Sequence, residues 1–491
     1  MAPDLPHFLF QMTSLRISPD LLLYIYCGLI VLSVVPFGLV DILPQTLILI
    51  LICLLGGLAV VLYGPPERGQ WVFGTALAIF SLMALWILFQ TVEIPVTRSD
   101  DLVWAKARTM AAAAKTISVE PADTLAALLQ IALPAVTFLT GLIVADRSKD
   151  DQAMLRFLAS AAGILAMYGL YQFLFLPDTL LGETKKAYQE SLTATFVNRN
   201  TNATFFGLGL LMQLTLLFDS FLVKTDKASA ELQSNATLPR LYYCFISLAT
   251  FAALMLTQSR AGVFLTAFAI LVYTPFLASQ WLRIFPNSFV RLGSRWLRVA
   301  VVIAAACLGT GFFLLFASKA MLRANIQGLE DARFCIWPDV VRATYNNWLF
   351  GTGFGTFRTV FSGYRDFRCG IFNIFDRAHN TYLEGFLTLG VIFPVVALLV
   401  LAALLFIFWR GYRNRRRNRH YAVLGLAATI LVWGHALVDF SIQIPGFSVF
   451  YAAFLSGVVC VCYKHTLKPA ASKNAALHKY NNDEIELELI Y

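Results

Sequence analysis

The sequence predicts an all-α integral membrane protein with about 12 transmembrane helices, and three observations support this fold class. Of the 491 residues, 58% are hydrophobic and only 14% are charged, whereas soluble domains carry about 25% charged residues. The mean hydropathy is +0.68. Apolar runs of about 20 residues, the length that a helix needs to cross a bilayer, recur along the chain. The polar first 20 residues predict no cleavable signal peptide.

The apolar runs place the elements in order along the chain. The predicted spans cover residues 21–40, 43–63, 71–91, 123–145, 152–176, 203–223, 241–257, 262–280, 299–317, 383–408, 421–438 and 446–463. They divide the chain into an amino-terminal segment (1–20), a membrane domain (21–463) and a tail (464–491). The tail is polar, which is typical of a flexible end.

Basic residues in short loops predict the orientation, because such loops stay in the cytoplasm. The loops 409–420 and 281–298 are the richest in arginine, so both are placed inside, and the span count then puts both termini in the cytoplasm. The outer side holds the turns 258–261 and 439–445. It also holds the long loop 318–378 between spans nine and ten, which is the only loop large enough to fold by itself.

Two arginines on the outer side are candidates for binding an anion. Arg260 lies in a short turn between two spans, where a charge close to lipid is costly and indicates a function. Arg199 lies just before span six, between Asn198 and Asn200. A guanidinium group offers a planar fork that suits phosphate oxygens. Arg260 also suits an anchor at the lipid interface, and the asparagines also suit a helix cap.

A histidine at the start of span ten is the candidate proton acceptor. His379 is followed by Asn380, and Glu384 comes one turn later, where it could orient the ring or an acceptor molecule. Histidine is the usual side chain for taking a proton near neutral pH. A lone histidine at a membrane interface is more often incidental, and only its polar neighbours favour a function.

Polar residues also cluster after span eleven. His435 and Asp439 are four residues apart, which predicts a shared helix face, and Gln443 follows. This spacing suits metal ligands, but no third ligand is evident, so a structural or orienting pair is favoured and no metal site is predicted. In the outer loop, Cys335 and Cys369 predict a disulfide in an oxidising compartment, although two free thiols fit the sequence nearly as well.

Several of these segments together resemble the bacterial O-antigen ligase and Wzy-type polymerase superfamily. The segments are FVNRN at 196–200, SRAG at 259–262, Arg333 followed by GTGFGTF at 351–357, His379-Asn380 with Gly390, and DFSIQIPG at 439–446. They extend over about residues 190–446. The first 180 residues are similar to the family only in hydropathy. The glycine-rich run could expose backbone N–H groups to phosphate, but a tightly packed turn suits it better.

The resemblance implies a membrane glycosyltransferase with a GT-C-like helical fold, in the bacterial inner membrane, with its active site facing the periplasm. The donor is a glycan on undecaprenyl diphosphate, the acceptor is lipid A-core or another glycan, and membrane lipids surround the protein. No metal, cofactor or nucleic acid is expected. Arg199, Arg260 and Arg333 bind the diphosphate in this scheme, and His379 deprotonates or positions the acceptor hydroxyl, with inversion at the anomeric carbon.

Ligase and polymerase stay close alternatives at this point. The His379 motif favours the ligase, whereas Phe393 stands where the ligase pattern often has a small residue, and polymerases share the long outer loop. Two further classes compete with less support. A transporter or flippase fits the span count but predicts polar residues at the bilayer midplane, and a non-catalytic scaffold of an export machine predicts tolerance of substitutions at His379 and Arg260.

Overall fold

The computed structural model describes residues 17–67, 69–93, 116–222, 230–284, 332–366, 374–415 and 418–463, with the backbone alone described for 230–236, 281–284 and 332–334. The helices are α1 (Pro19–Val34), α2 (Ile42–Tyr63), α3 (Gln70–Thr91), α4 (Pro121–Arg147), α5 (Ala153–Phe175), α6 (Arg199–Leu222), α7 (Ala230–Leu256), α8 (Arg260–Ile284), α9 (Ala332–Asn346), α10 (Phe357–Tyr364), α11 (Thr381–Leu389), α12 (Ile392–Asn414), α13 (Arg419–His435) and α14 (Pro445–Tyr463). Between α5 and α6, β1 (Thr179–Leu180) pairs antiparallel with β2 (Glu183–Thr184).

Within the described ranges, nine helices are long and apolar enough to cross a membrane: α2 to α8, α12 and α14. Eleven of the twelve predicted spans fall on described helices, whereas span 299–317 lies outside the described residues. The nearly all-helical fold class is therefore confirmed, and the count of 12 stays a prediction. The first predicted span, 21–40, is shorter than expected: its helix ends at Val34, because Pro36 has no backbone N–H to continue the helical hydrogen bonds and Phe37 follows with φ 50°.

Helix α14 forms the centre of the bundle. Almost all of its residues are buried, and it packs against α4, α1, α13 and α12. Helix α6 is the second internal helix and packs against α5, α7, α8 and α13. By contrast, α2, α3 and α12 keep large apolar side chains such as Leu54, Leu85 and Leu398 exposed. A surface of this kind is matched by lipid acyl chains, so these helices form the lipid-facing side of the bundle.

The predicted span 383–408 is wrong as a single helix, because the chain breaks it into α11 and α12. Gly390 ends α11 with φ 69°, and its N–H donates to Phe386 O. A Cβ at Gly390 would lie 2.4 Å from the carbonyl oxygen of Leu349, so only glycine allows this approach. The backbone N–H groups of Thr352 and Gly353 donate to the carbonyls of Leu387 and Thr388. The run 351–357 is thus a tightly packed turn against the break.

The described part of the outer loop folds into a small hydrophobic unit. Helices α9 and α10 pack through Ile336, Val340, Phe357 and Phe361, and the same cluster includes Ala378 and Leu387. The indole N–H of Trp337 donates to the carbonyl oxygen of Ala378 at 3.0 Å. This unit therefore holds the chain segment that leads into His379.

Candidate active site

One end of the bundle carries a hydrogen-bonded network centred on a buried carboxylate. We call it the outer end; it contains Asn200, Ser259, His379 and Asp439. The side chain of Asp439 is fully buried. Its Oδ1 accepts a hydrogen bond from Asn200 Nδ2 at 3.1 Å, and its Oδ2 accepts one from Ser441 Oγ at 2.6 Å. Neutral donors thus hold the carboxylate in place and leave its negative charge to act on neighbouring groups.

His379 faces this carboxylate. Its Nδ1 lies 3.9 Å from Asp439 Oδ1, and its ring packs edge-on against Phe440 with 4.9 Å between the centroids. The His379 side chain remains 25% exposed, whereas that of Asp439 is not exposed at all. The distance is too long for a hydrogen bond but suits attraction between a carboxylate and a protonated imidazole. His379 therefore faces the buried carboxylate through Nδ1 while part of its ring stays accessible.

The backbone at His379 is strained and firmly held. Its φ is 52°, a left-handed conformation that costs about 1 to 2 kcal/mol for a residue with a Cβ. The N–H of Ala378 donates to Glu384 Oε2 at 2.8 Å, and Asn380 Oδ1 accepts from the N–H groups of Tyr382 and Leu383. Strain that is maintained by surrounding contacts concentrates at functional sites. The position of His379 is thus fixed from both sides.

Glu384 and Asn380 act on the backbone in this structure. Glu384 Oε1 accepts from Arg377 Nη1 at 2.9 Å and Oε2 accepts from Ala378 N, so both oxygens bind the segment before His379 and neither binds its ring. Asn380 is the N-cap of α11 through its Oδ1. Glu384 therefore orients the histidine through the backbone, and a direct contact of Asn380 with substrate stays a prediction.

The asparagines beside Arg199 connect the start of α6 to two other elements. Asn198 Oδ1 accepts from the N–H of Asn200 at 2.7 Å, as expected for a helix cap. Asn200 uses both ends of its amide, because its Oδ1 also accepts from Ser259 Oγ at 2.8 Å while its Nδ2 donates to Asp439. Asn200 thereby joins the turn before α8 to the carboxylate that faces His379.

The three candidate arginines differ in how much the structure describes. Arg199 Nη1 donates to Ser191 Oγ at 3.3 Å, and its guanidinium lies 5.2 Å from the centre of the Tyr188 ring. Arg260 is the first residue of α8, directly after Ser259, and is exposed. Arg333 lies in the first turn of α9, and its side chain is outside the described part of the chain. The structure thus brings the Arg199 and Arg260 segments together.

His435 and Asp439 are close, but the prediction that they share a helix face is wrong. Helix α13 ends at His435, and Asp439 lies in the turn that follows, where its N–H donates to His435 O. The hydroxyl of Ser441 joins the two side chains, because it lies 3.4 Å from His435 Nδ1 and donates to Asp439. Gln443 lies in the 3-10 turn after Asp439. His435 is fully buried and also hydrogen-bonds to Thr204.

No group of three or more His, Cys, Asp and Glu side chains is arranged to hold a metal ion in the described ranges. The expectation that no metal takes part stays a prediction. Cys335 is in a disulfide, but Cys369 lies outside the described residues, so their pairing also stays a prediction.

Sequence reasoning missed the hydroxyl groups that connect the network. These are Thr204, Ser259 and Ser441. Signals existed for Ser259 and Ser441, which lie in the SRAG and DFSIQIPG segments. Serine and threonine are common in membrane helices, so nothing in the sequence distinguishes Thr204 from the other hydroxyls of α6.

Comparison with known proteins identifies this region. Residues 245–392 match the family model described as O-Antigen ligase. This stretch is thus similar to an O-antigen ligase domain. It includes Arg260, Arg333 and His379, whereas Asn200 and Asp439 lie outside it. None of the curated proteins matches the chain. The O-antigen ligase match confirms the resemblance of the motifs, and together with the apolar helices it indicates a multi-pass membrane protein.

Proposed function

We propose that this protein is an O-antigen ligase, which transfers a glycan from undecaprenyl diphosphate to lipid A-core at the periplasmic face of the inner membrane. The observation that carries the proposal is the continuous network from the start of α6 to Asp439, with Oδ1 of Asp439 facing His379. It joins a candidate anion-binding segment to a candidate base. Glycosyl transfer from a diphosphate requires both a group that binds the anion and a base in one site.

The arginines bind the donor in this proposal. Arg199 and Arg260 stand at the starts of α6 and α8, which Asn200 and Ser259 connect. Their guanidinium groups pair with the oxygens of the diphosphate, and Arg333 adds a third cation. As the bond to the sugar breaks, negative charge grows on the diphosphate. Cations already in place stabilise that charge without reorganisation, which removes the need for a metal or cofactor.

His379 accepts the proton of the acceptor hydroxyl. The hydroxyl oxygen forms a bond to the anomeric carbon, the bond between that carbon and the diphosphate oxygen breaks, and the diphosphate leaves with the electron pair. Attack from the face opposite the leaving group inverts the configuration. The proton moves to the imidazole ring, and the resulting cation is stabilised by the Asp439 carboxylate at 3.9 Å. His379 returns the proton to solvent through its exposed side.

The test is the glycan profile of a strain that lacks the protein. Lipopolysaccharide that carries core alone, with long glycans accumulating on undecaprenyl diphosphate, supports the ligase. Core with a single repeat, or loss of a secreted polymer with normal lipopolysaccharide, supports a polymerase and overturns the ligase.

Complementation then tests the base. We expect His379→Ala and His379→Gln to fail, since neither side chain accepts a proton, and purified His379→Gln to lose about 10²- to 10⁴-fold in kcat. A matched control is His420→Gln, which alters a buried histidine near the start of α13. This variant should restore the wild-type profile. Full complementation by His379→Ala at normal protein levels would show that the assignment of the base is wrong.

A further inference from the structure

A buried lysine in the segment between α5 and α6 has no role in the site described so far. Lys185 follows β2, and only 5% of its surface is exposed. Its Nζ donates to the carbonyl oxygen of Ser191 at 2.7 Å. An ammonium group carries three donors, and lysine is almost never fully buried without a partner for its charge. Among the described residues, no carboxylate lies within ion-pair distance of Lys185.

The residue that Lys185 contacts is also the contact of Arg199. Ser191 is buried; its carbonyl oxygen accepts from Lys185, and its hydroxyl accepts from Arg199 Nη1. Tyr188, which lies under the Arg199 guanidinium, has a φ of 55°. The backbone is thus strained between Lys185 and Ser191. Both cations, Lys185 and Arg199, hydrogen-bond to the same serine.

The same loop is fastened to the turn before α8. Leu192 N donates to Leu256 O at 2.9 Å, and Gln258 Nε2 donates to Glu190 O at 2.7 Å. Arg260 follows two residues after Gln258. The loop that holds Lys185 is therefore bound to the segment that leads into Arg260.

We propose that Lys185 is a further binding residue for the diphosphate of the lipid-linked donor, beside Arg199. This inference rests on the proposed function of the site. The chemistry is that of a compact ammonium charge against phosphate oxygens, with two of its three protons available beyond the bond to Ser191. Burial lowers the pKa of Lys185, and the charge of Asp178 opposes part of this effect. A bound anion favours the charged ammonium in the same way as Asp178 does.

The contact with Ser191 could be purely structural, and a pair of variants separates the two roles. Lys185→Gln keeps a donor for the Ser191 carbonyl but removes the charge, whereas Lys185→Arg keeps the charge. We expect Lys185→Gln to weaken binding of undecaprenyl diphosphate about 10- to 100-fold, the range for loss of a hydrogen bond to a charged group. Its KM for the donor should rise with little change in kcat, and Lys185→Arg should recover most of the affinity.

The neighbouring Lys186 provides the matched control, because it is exposed. Lys186→Gln removes the same charge from the same loop and should leave binding unchanged. The assay uses full-length protein in nanodiscs, with undecaprenyl diphosphate in one arm and phosphatidylglycerol in the other. Equal weakening for both lipids in Lys185→Gln would indicate a general site for anionic lipid and would overturn the proposal.

Two outcomes separate this inference from the proposed function. If the wild-type protein binds undecaprenyl diphosphate and Lys185→Gln binds it equally well, the inference alone is wrong. If the wild-type protein neither binds this lipid nor transfers a glycan, the proposed function itself fails. Should Lys185→Gln not fold, Lys185→Arg replaces it. Retention of most of the affinity for undecaprenyl diphosphate supports a contact through the charge, and loss of this affinity in folded Lys185→Arg with unchanged affinity in Lys186→Gln would contradict the proposal.

Discussion

Two buried histidines occupy opposite ends of α13, and both lie against α6, yet their surroundings differ. At the outer end, His435 contacts the hydroxyls of Thr204 and Ser441. At the other end, which we call the inner end, His420 Nε2 lies 3.2 Å from Asp219 Oδ1, and Gln280 Nε2 lies 3.3 Å from His420 Nδ1. The inner histidine lies directly against a carboxylate, whereas the outer histidine hydrogen-bonds to hydroxyls.

The two carboxylates differ in whether the histidine beside them is accessible. At the inner end the histidine side chain is fully buried and its partner Asp219 is 22% exposed, so the imidazole of His420 is not accessible to reactants. Asp439 is held by an amide and a hydroxyl, and its charge faces His379, which keeps a quarter of its side chain exposed. A buried histidine can contribute to packing, while a partly exposed one can exchange protons with a substrate. The comparison therefore assigns stability to the inner end and chemistry to the outer end.

Replacing the aspartate at each end by asparagine tests whether only the outer end takes part in catalysis. Asp439→Asn keeps the size of the side chain but removes the charge that faces His379. We expect kcat to fall by about 10²-fold or more, within the range for impaired general-base catalysis. Asp219→Asn should leave the kcat of the folded protein unchanged. Glycan transfer by purified variants measures both, and an equal loss at the two ends would contradict the assignment.

The next effect is on stability and belongs to the inner end. His420→Gln removes the buried imidazole that lies 3.2 Å from Asp219 and should cost about 1 kcal/mol, the central value for a single destabilising substitution. Thermal unfolding in detergent should show a lower Tm, and transfer activity per folded molecule should not change. Combining His420→Gln with Asp219→Asn tests the contact, because residues that form a pair give non-additive changes. Additive losses would mean that the two side chains act independently.

The sequence predicted the helices better than it predicted the site, and the physical reason is the range of the interactions. Apolar runs determine where α2, α3 and α4 lie within two residues of the predicted bounds, since each helix forms from local contacts. The bond between Asn200 and Asp439 joins residues 239 positions apart, and no local pattern contains that information. The break at Gly390 was missed because its cause, the close approach of Leu349, also lies far away in sequence.

Residue types nevertheless identified most members of the site. A charge or a histidine near lipid is costly, so Arg199, His379 and Asp439 were visible as candidates in the sequence alone. Many of their partners are hydroxyls, which carry no such cost and are hard to distinguish in the sequence. This explains why the prediction named the groups with charge and omitted Ser441, the residue that joins His435 to Asp439.

The smallest expected effect distinguishes a cap from a substrate contact at Asn380, next to the candidate base. Asn380→Ala removes the acceptor for the N–H groups of Tyr382 and Leu383 and should cost about 1 kcal/mol, the usual value for an N-cap. Because the cap also fixes His379, kcat should fall modestly, by less than for Asp439→Asn. Asn380→Ser restores the cap without the amide, so it should recover both Tm and kcat. If Asn380→Ser recovered Tm but not kcat, the amide itself would contact the substrate, and the strain at His379 would be held by Glu384 alone.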